Sequence, residues 1–467
     1  MTPISRRTAL TAGAGTLAGL SLPLPRAAPG LKALLTGDST GAFTSANPVN
    51  PRVVTHVTSM QSGHGWAVQN AGASNLNDTT TYAMGTQSAS ITTRTDGVAT
   101  TLTKTGLSLN ISGTKQLRAL IRVDGVDYLQ GLNVYVSSDS MVANFGIVYI
   151  QSETPDPSVR WLKDGEWKWV TLPWQSAIVT GSPDLTAVDS LRIRATSASG
   201  TTCQVRLQAM QVIERRPVAA GGIVCFTYDD SYGAQYTIAR RDLDKYGWPG
   251  TAYTIVSNVQ AGDGGNSTYL TTVQLQAMRR WSGWEIGPHA YTSTNHNRGM
   301  AAATNTATGV AYGTNPLSAA ELDTDIANTV QWLQSNELSD GFVGHCYPLG
   351  RYSTAVQRQM AHDGLAYARA MTSTATSAET MPPADPYAIR CYTLDNTSVP
   401  ATLQSRVDGV AGHGGLLVFC CHDIVTSPTT STQFSIANHA ALVDYVATKP
   451  GIRVMTLGDV MRSIAGQ

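Results

Sequence analysis

The sequence predicts a two-domain protein, with an N-terminal all-β, jelly-roll-like sandwich over residues 31–215 and a distorted (β/α) barrel over residues 219–467. The length of 467 residues exceeds the size at which a single hydrophobic core stops growing, which favours two domains. Short runs of alternating apolar and polar residues fill the first part, whereas apolar strands alternate with helical patterns in the second. The charged residues Glu214, Arg215 and Arg216, followed by Pro217, mark the boundary between the two patterns.

The composition is that of a globular protein with few charged residues. Hydrophobic residues make up 42% of the chain and charged residues 14%. Lys+Arg and Asp+Glu number 32 each, so the formal net charge is zero. This balance excludes nucleic acid as the main partner, because phosphate binding needs a basic excess. Six cysteines in a chain of this length are too few for a disulfide framework, and we expect mostly buried thiols with room for one disulfide.

The first 30 residues are predicted to be an export signal of the twin-arginine type. Arg6 and Arg7 precede an uncharged stretch, rich in Ala, Gly and Leu, that extends to Pro25. A frayed N-terminus with a chance arginine pair is the alternative interpretation. Since no later apolar run reaches the roughly 18 residues that span a bilayer, we expect a secreted or cell-surface protein without a transmembrane span.

The first domain is predicted to contain short antiparallel strands. Alternating runs occur at Ala89–Thr93, Leu117–Val123, Leu132–Val136 and Leu191–Ala195. Trp167 and Trp169 lie two residues apart and therefore share one face of a strand. That face is either part of the core, which large aromatic side chains dominate, or an exposed surface that stacks on sugar rings. The domain resembles the accessory β-sandwich modules of carbohydrate-active enzymes, which implies carbohydrate binding.

The second domain is predicted to repeat β-α units that close into a barrel, with the chemistry at the carboxyl ends of the strands. A capping box at Ser318–Glu321 marks the start of the clearest helix, in which Leu322, Ile326, Val330 and Leu333 form the buried stripe. The other predicted helices are Ala234–Tyr246, Thr271–Trp281 and about Phe434–Ala447, and the predicted strands include Gly222–Thr227, Thr251–Val256, Tyr367–Met371, Ile389–Thr393, Leu416–Cys421 and Ile452–Leu457.

Candidate functional residues follow three of these strands. Asp229 and Asp230 end the first strand of the domain, His289 ends a strand that begins at Trp284, and His422 follows Cys421. One aspartate and two histidines make a three-point site for a borderline divalent metal, for which zinc is expected, with coordination positions left open for water.

The second domain resembles the polysaccharide deacetylases of carbohydrate esterase family four, over about residues 219–467. The matching segments are Phe226–Asp230, Glu285–His289 and Cys420–His422. The resemblance implies that Asp229 is a catalytic base and His422 a general acid, and that Asp230, His289 and a second histidine bind the metal. The position four residues after His289 is Ser293, so the second histidine ligand is predicted to be His296, displaced by an insertion.

The third motif of the family is matched only in part, by Tyr347 and Pro348. A backbone N–H group in residues 347–349 is expected to assist the oxyanion. The arginine that steadies the catalytic aspartate in the family is absent from this motif. Arg351, Arg369 and Arg390 are the alternatives, and Arg390 is preferred because it lies within a predicted strand. Cys420 replaces the leucine of the acetyl pocket.

The resemblance implies a metal-dependent hydrolase that removes N-acetyl groups from a polysaccharide, with peptidoglycan, chitin-like polymers and poly-N-acetylglucosamine as candidate substrates. One alternative is an esterase that removes O-acetyl groups from a glycan. Another is a catalytically inactive glycan-binding surface protein, which the missing arginine and the altered histidine spacing favour. The oligomeric state is left open.

Overall fold

The first part of the chain is built from antiparallel strands. The computed structural model describes residues 52–152, 154–214, 221–372 and 378–465, so the predicted export signal over residues 1–30 lies outside the described residues. The strands of the first part are β1 (Val53–Thr58), β2 (Ala67–Gln69), β3 (Ala73–Asp78), β4 (Ser88–Thr92), β5 (Thr100–Lys104), β6 (Lys115–Asp124), β7 (Leu129–Ser137), β8 (Phe145–Ser152), β9 (Trp167–Thr171), β10 (Ile178–Thr180), β11 (Ser190–Ser197) and β12 (Gln204–Glu214).

These strands form two six-stranded sheets that share a hydrophobic core. One sheet has the order β3-β4-β12-β6-β9, with β1 also paired to β12, and the other has the order β10-β8-β7-β11-β5-β2. Side chains of both sheets, such as Ile121 and Val134, belong to one buried cluster. The prediction of an antiparallel domain is confirmed, and the jelly-roll connectivity stays a prediction. Trp167 and Trp169 are 3% and 9% exposed, which agrees with the core interpretation of these residues.

The second part alternates strands with helices. Its strands are β13 (Ile223–Tyr228), β14 (Thr251–Ile255), β15 (Glu285–Ala290), β16 (Ala303–Thr304), β17 (Ala311–Tyr312), β18 (Gly344–Cys346), β19 (Tyr367–Arg369), β20 (Tyr392–Thr393), β21 (Leu416–Cys421), β22 (Asp423–Val425), β23 (Gln433–Ser435) and β24 (Arg453–Val454). Its α-helices are Arg240–Asp244, which continues a π-helical turn over Gln235–Ala239, and Val256–Asp263, Thr272–Ser282, Ser293–Arg298, Ala319–Ser335, Thr354–His362, Pro400–His413, Ile436–Ala447 and Leu457–Ala465.

A parallel sheet positions the candidate residues at one edge. The sheet has the order β15-β14-β13-β21-β20, with β24 on β13, and β18 pairs separately with β19 in parallel. Tyr228 and Cys421 face each other across β13 and β21, so Asp229 and His422 leave the sheet side by side. Ile389 forms a parallel bridge to Arg369 and continues the β18-β19 pair. Closure of these strands into a complete barrel stays a prediction.

The helix over Ala319–Ser335 begins where the sequence predicts. Ser318 and Glu321 form the capping box, and the Ser318 side chain accepts a hydrogen bond from the Glu321 N–H. The prediction of a strand over Ile452–Leu457 was only partly right, because the strand is limited to Arg453–Val454 and Leu457 begins a helix. Among the described residues, no helix combines the length and the apolar character that crossing a bilayer requires.

Buried contacts join the two parts of the chain. Lys168 of the first part forms an ion pair with Asp385, with 2.7 Å between Nζ and Oδ2, and both side chains are at most 9% exposed. Trp161 donates a hydrogen bond from Nε1 to the carbonyl oxygen of Ala388 at 3.0 Å. The guanidinium of Arg390 lies 4.5 Å from the centre of the Trp161 ring. The antiparallel part is therefore packed directly against the segment between β19 and β20.

Candidate active site

The backbone after β13 directs two adjacent aspartates to different partners. The N–H of Asp229 donates to the carbonyl oxygen of Cys421 at 2.9 Å, which extends the ladder between β13 and β21 by one residue. Asp230 and Ser231 then adopt φ values of 67° and 64°, a left-handed conformation that is costly for residues other than glycine. Asn258 stabilises this turn by donating from Nδ2 to the carbonyl oxygen of Asp230 at 3.0 Å. As a result, the two carboxylates point to separate sets of partners.

Asp230, His289 and His296 form a group with the geometry of a metal site. Oδ1 of Asp230 lies 3.5 Å from Nε2 of His289 and 3.3 Å from Nε2 of His296. Two ligand atoms bound at about 2.05 Å to a tetrahedral ion are about 3.3 Å apart, so these separations match the edge of a zinc coordination tetrahedron. Oδ1 of Asp230 is also buried and has no hydrogen-bond partner among the described residues. The three predicted ligands therefore fit a divalent cation.

The surrounding backbone orients both histidines. Nδ1 of His289 lies 2.8 Å from the carbonyl oxygen of Cys346, which places the ring proton on Nδ1 and leaves Nε2 for a metal. His296 lies in the short helix Ser293–Arg298, whose N-cap Thr292 accepts a hydrogen bond from the N–H of Asn295. The helical turn brings His296 back to His289, with 4.7 Å between the ring centres. The short helix therefore places the predicted second histidine ligand beside the first.

Two polar side chains that the sequence analysis missed support this loop. Asp325 is 2% exposed and accepts hydrogen bonds from the N–H of Tyr291 at 3.0 Å and from Nδ2 of Asn295 at 2.6 Å. Ser293 donates from Oγ to Oδ1 of Asn258 at 2.6 Å, and Asn258 in turn holds the Asp230 backbone. The residue at the usual histidine position therefore links the two loops that carry the predicted ligands.

Asp229 lies on the other side of the group and is held by an arginine. Oδ2 of Asp229 forms a buried ion pair with Nη2 of Arg369, and their side chains are 2% and 0% exposed. Nε2 of His422 is 3.8 Å from the same oxygen. Burial by itself raises the pKa of Asp229, but Arg369, His289 and His422 outweigh burial and hold this pKa below its ordinary value. Asp229 is therefore an ionised carboxylate, and its Oδ1 is without a hydrogen-bond partner among the described residues.

The two predicted histidine ligands have opposite pKa shifts. Burial lowers the pKa of His289, but Cys346, Asp230 and Asp229 more than reverse this effect and raise it well above its ordinary value. Burial and the neighbouring His289 lower the pKa of His296 to about 4. In the metal-free protein, His289 therefore carries a positive charge beside the Asp230 carboxylate, while His296 is neutral.

The remaining predicted residues lie at or beyond the rim of this group. Arg390 is not beside Asp229: it pairs with Glu379, with 2.8 Å between Nη2 and Oε1, and the preference for Arg390 over Arg369 was wrong. The N–H of Tyr347 donates to the carbonyl oxygen of Arg369 at 3.2 Å. Pro348 has no N–H group. Within residues 347–349, the N–H of Leu349 is therefore the backbone donor left for an oxyanion.

His422 lacks the second contact that usually orients a catalytic histidine. Its Nδ1 is buried and has no hydrogen-bond partner within the described ranges. His345 is also fully buried, and neither of its ring nitrogens has a partner among those residues. Burial and the neighbouring His289 lower the pKa of His345 to about 3, so this ring is neutral.

The sequence analysis named Arg369 as a possible partner of Asp229 but preferred Arg390. Arg369 is the last residue of β19 in the structure, but the strand predicted from the sequence extends to Met371, so the sequence did not place Arg369 at a strand end. The thiols of Cys346 and Cys391, which both contact Arg369, carried no recognisable signal.

Residues 218–368 match the family model for polysaccharide deacetylase. The matched segment includes Asp229, Asp230, His289 and His296 and ends before His422. No curated protein matches the chain.

Solved structures of carbohydrate esterase family four and related deacetylases are similar to parts of the chain. A Streptococcus pyogenes deacetylase in complex with acetate has 20% sequence identity over 31% of this chain and 54% of its own, with a TM-score of 0.25. A family 4 carbohydrate esterase from Streptomyces lividans has 15% identity over 50% of this chain and 91% of its own, with a TM-score of 0.32. A family pseudoenzyme from Bacillus anthracis has 14% identity over 53% and 68%, with a TM-score of 0.34. The chain spans about half the length of the streptococcal deacetylase.

Proposed function

We propose that this protein is an extracytoplasmic, metal-dependent deacetylase that removes N-acetyl groups from a polysaccharide. The observation that carries the proposal is the group of Asp230, His289 and His296, whose candidate ligand atoms all lie within 4.8 Å of one another. The ionised Asp229 and the imidazole of His422 lie beside it. This combination supplies a cation site, a base and an acid in one pocket, as hydrolysis of an unactivated amide requires.

The described residues have distinct roles in the proposed reaction. A divalent cation held by Asp230, His289 and His296 would polarise the acetyl carbonyl group and lower the pKa of water. Asp229 accepts the proton of the attacking water, because Arg369 keeps its carboxylate ionised. His422 donates a proton to the departing amine, which is a poor leaving group until it is protonated. The Leu349 N–H assists the developing oxyanion.

The structure weakens both arguments for an inactive glycan-binding protein. That alternative depended on the missing arginine of the third motif and on the altered histidine spacing. Arg369 supplies the missing cation from the neighbouring strand β19, and the helical turn at Ser293–Arg298 returns His296 to the group. Both departures from the family pattern therefore have a structural compensation, which supports an active enzyme.

Hydrolysis of O-acetyl esters is the second candidate function. The observation that favours it is that Nδ1 of His422 has no hydrogen-bond partner among the described residues, so no contact at Nδ1 orients the ring for proton donation. An alkoxide leaves more readily than an amine and depends less on that proton. An O-acetylated glycan would then be the better substrate.

Acetate release from a panel of glycans tests these proposals. The zinc-loaded protein would be incubated with chitin oligosaccharides, N-acetylated peptidoglycan and acetylated xylan, and the acetate measured enzymatically. We expect release from an N-acetylated glycan, and its loss in Asp229→Asn with metal content retained. Faster release from xylan would favour the esterase. Absence of release from every glycan, or undiminished release by Asp229→Asn, would overturn the proposed mechanism.

A further inference from the structure

Three buried thiols surround the ion pair between Asp229 and Arg369. Sγ of Cys346 lies 3.4 Å and Sγ of Cys420 lies 3.3 Å from Oδ2 of Asp229. Arg369 donates from Nη2 to Sγ of Cys346 at 2.7 Å and from Nη1 to Sγ of Cys391 at 2.9 Å. All three cysteines are at most 1% exposed.

The two thiols that contact Asp229 are protonated and can act as donors. The ordinary pKa of a cysteine thiol is about 8.5, so a buried thiol is protonated at neutral pH. A neutral thiol beside a carboxylate oxygen is a hydrogen-bond donor, and a charged acceptor strengthens such a bond.

These donors approach one oxygen of Asp229 from different strands. Cys346 ends β18, Arg369 ends β19 and Cys420 lies in β21. A single contact to Arg369 would leave the carboxylate free to rotate about its bond to Cβ. Donors from three strands fix that rotation and leave Oδ1, which has no partner among the described residues, as the oxygen that can accept a proton.

We propose that Cys346 and Cys420 are positioning residues for Asp229: with Arg369, their S–H groups hold Oδ2 and so present Oδ1 to the attacking water. This inference rests on the proposed function, because it assigns an atom to the proton transfer in that reaction. It also gives a chemical reason for a cysteine at position 420, where an aliphatic side chain could not donate to the carboxylate.

Variants of the thiols test the positioning role. We expect Cys346→Ala and Cys420→Ala each to lower kcat about tenfold or more, because each loses a hydrogen bond to a charged group. KM and metal content should change little, and the serine variants should recover most of the activity. Cys421→Ala is the matched control, since Cys421 is the next residue of β21 but belongs to a different buried cluster. Thermal unfolding would establish that each variant is folded.

Full activity in both alanine variants would overturn the proposal. An equal loss in Cys421→Ala, or failure of serine to restore activity, would also overturn it, because either result would indicate packing rather than hydrogen bonding.

An infrared measurement separates this proposal from the function on which it rests. The S–H stretching bands of Cys346 and Cys420, assigned by difference against their alanine variants, should lie at lower frequency than that of the buried Cys225. Cys225 serves as the reference because it is a free thiol that is equally buried, in β13 of the same sheet as Cys420. Unshifted bands would overturn the positioning role even in an active enzyme. Shifted bands in a protein that releases no acetate would support the thiol contacts while the proposed function failed.

Discussion

Replacing Arg369 with methionine tests whether this residue contributes to the proposed reaction as well as to the stability of the protein. Arg369 and Asp229 form an ion pair whose side chains are 0% and 2% exposed. Removing one partner of a buried pair leaves the other charge without compensation, at a cost of about 3–5 kcal/mol. Burial would then raise the pKa of Asp229, because the largest effect that lowers it is lost. We therefore expect Arg369→Met to lower the free energy of unfolding by about 3–5 kcal/mol and kcat by about 10²–10⁴-fold.

A matched variant makes this prediction decisive. Arg390 and Glu379 form a second buried pair, with side chains 1% and 0% exposed, that does not include Asp229. Arg390→Met should lose a similar free energy of unfolding, measured by urea denaturation, and should retain most of its kcat below the unfolding transition. Equal losses of kcat in the two variants would refute the assignment of Arg369, as would wild-type kcat in Arg369→Met.

Three further predictions concern the cation site and the contact between the two parts of the chain. His296→Ala should weaken zinc binding by more than the 10–100-fold typical of supporting residues, and unchanged affinity in a competition titration would exclude it as a ligand. Zinc uptake at pH 7 should release about one proton, from His289 and not from His296, so the affinity for zinc should rise with pH. Calorimetry in buffers of different ionisation enthalpy measures the number of protons released. Zinc binding without proton release would contradict the prediction. Trp161→Ala should lower the free energy of unfolding by about 3–5 kcal/mol, because Trp161 is 1% exposed, and the metal content should be retained. Urea denaturation measures this loss. A change below about 1 kcal/mol would show that the packing between the two parts contributes little to stability.

The pH dependence of the metal-free protein follows from the same histidine. The pKa of His289 is raised on folding, so its contribution to stability is complete below the ordinary histidine pKa of about 6.5 and is lost as the pH rises through the folded value. Zinc binding removes this dependence, because the ligand nitrogen no longer titrates. Urea denaturation at several pH values, with and without zinc, should show the difference.

Residues at strand ends could be predicted because the carboxyl ends of parallel strands meet at one edge. Asp229 and His422 follow paired residues of β13 and β21, and this arrangement depends only on strand order and register. The alternation of apolar residues located four strands of the first part, which are β4, β6, β7 and β11.

The choice between Arg369 and Arg390 could not be made from sequence. Both arginines occur in predicted strands, but Arg390 is turned toward Glu379 and Trp161, a residue of the first part of the chain. Which arginine faces Asp229 depends on contacts between segments far apart in the sequence, such as Asp229 and Arg369, which are 140 residues apart. Local periodicity contains no information about such contacts.

His296 was predicted as a ligand from the family resemblance, and the structure places it beside Asp230 and His289. A loop has many conformations, and the one that places His296 beside His289 is held by contacts that include the Thr292 cap, Asp325 and the hydrogen bond from Ser293 to Asn258. The left-handed conformation of Asp230 could not be predicted from the sequence either, because an aspartate adopts it only occasionally.

Anomalous diffraction from zinc-soaked crystals tests the central claim most directly. We predict one strong zinc peak at about 2.0–2.2 Å from Oδ1 of Asp230 and from Nε2 of both His289 and His296. A peak ligated instead by Asp229, Cys420 and His422, whose candidate ligand atoms also lie within 4.8 Å of one another, would contradict the claim.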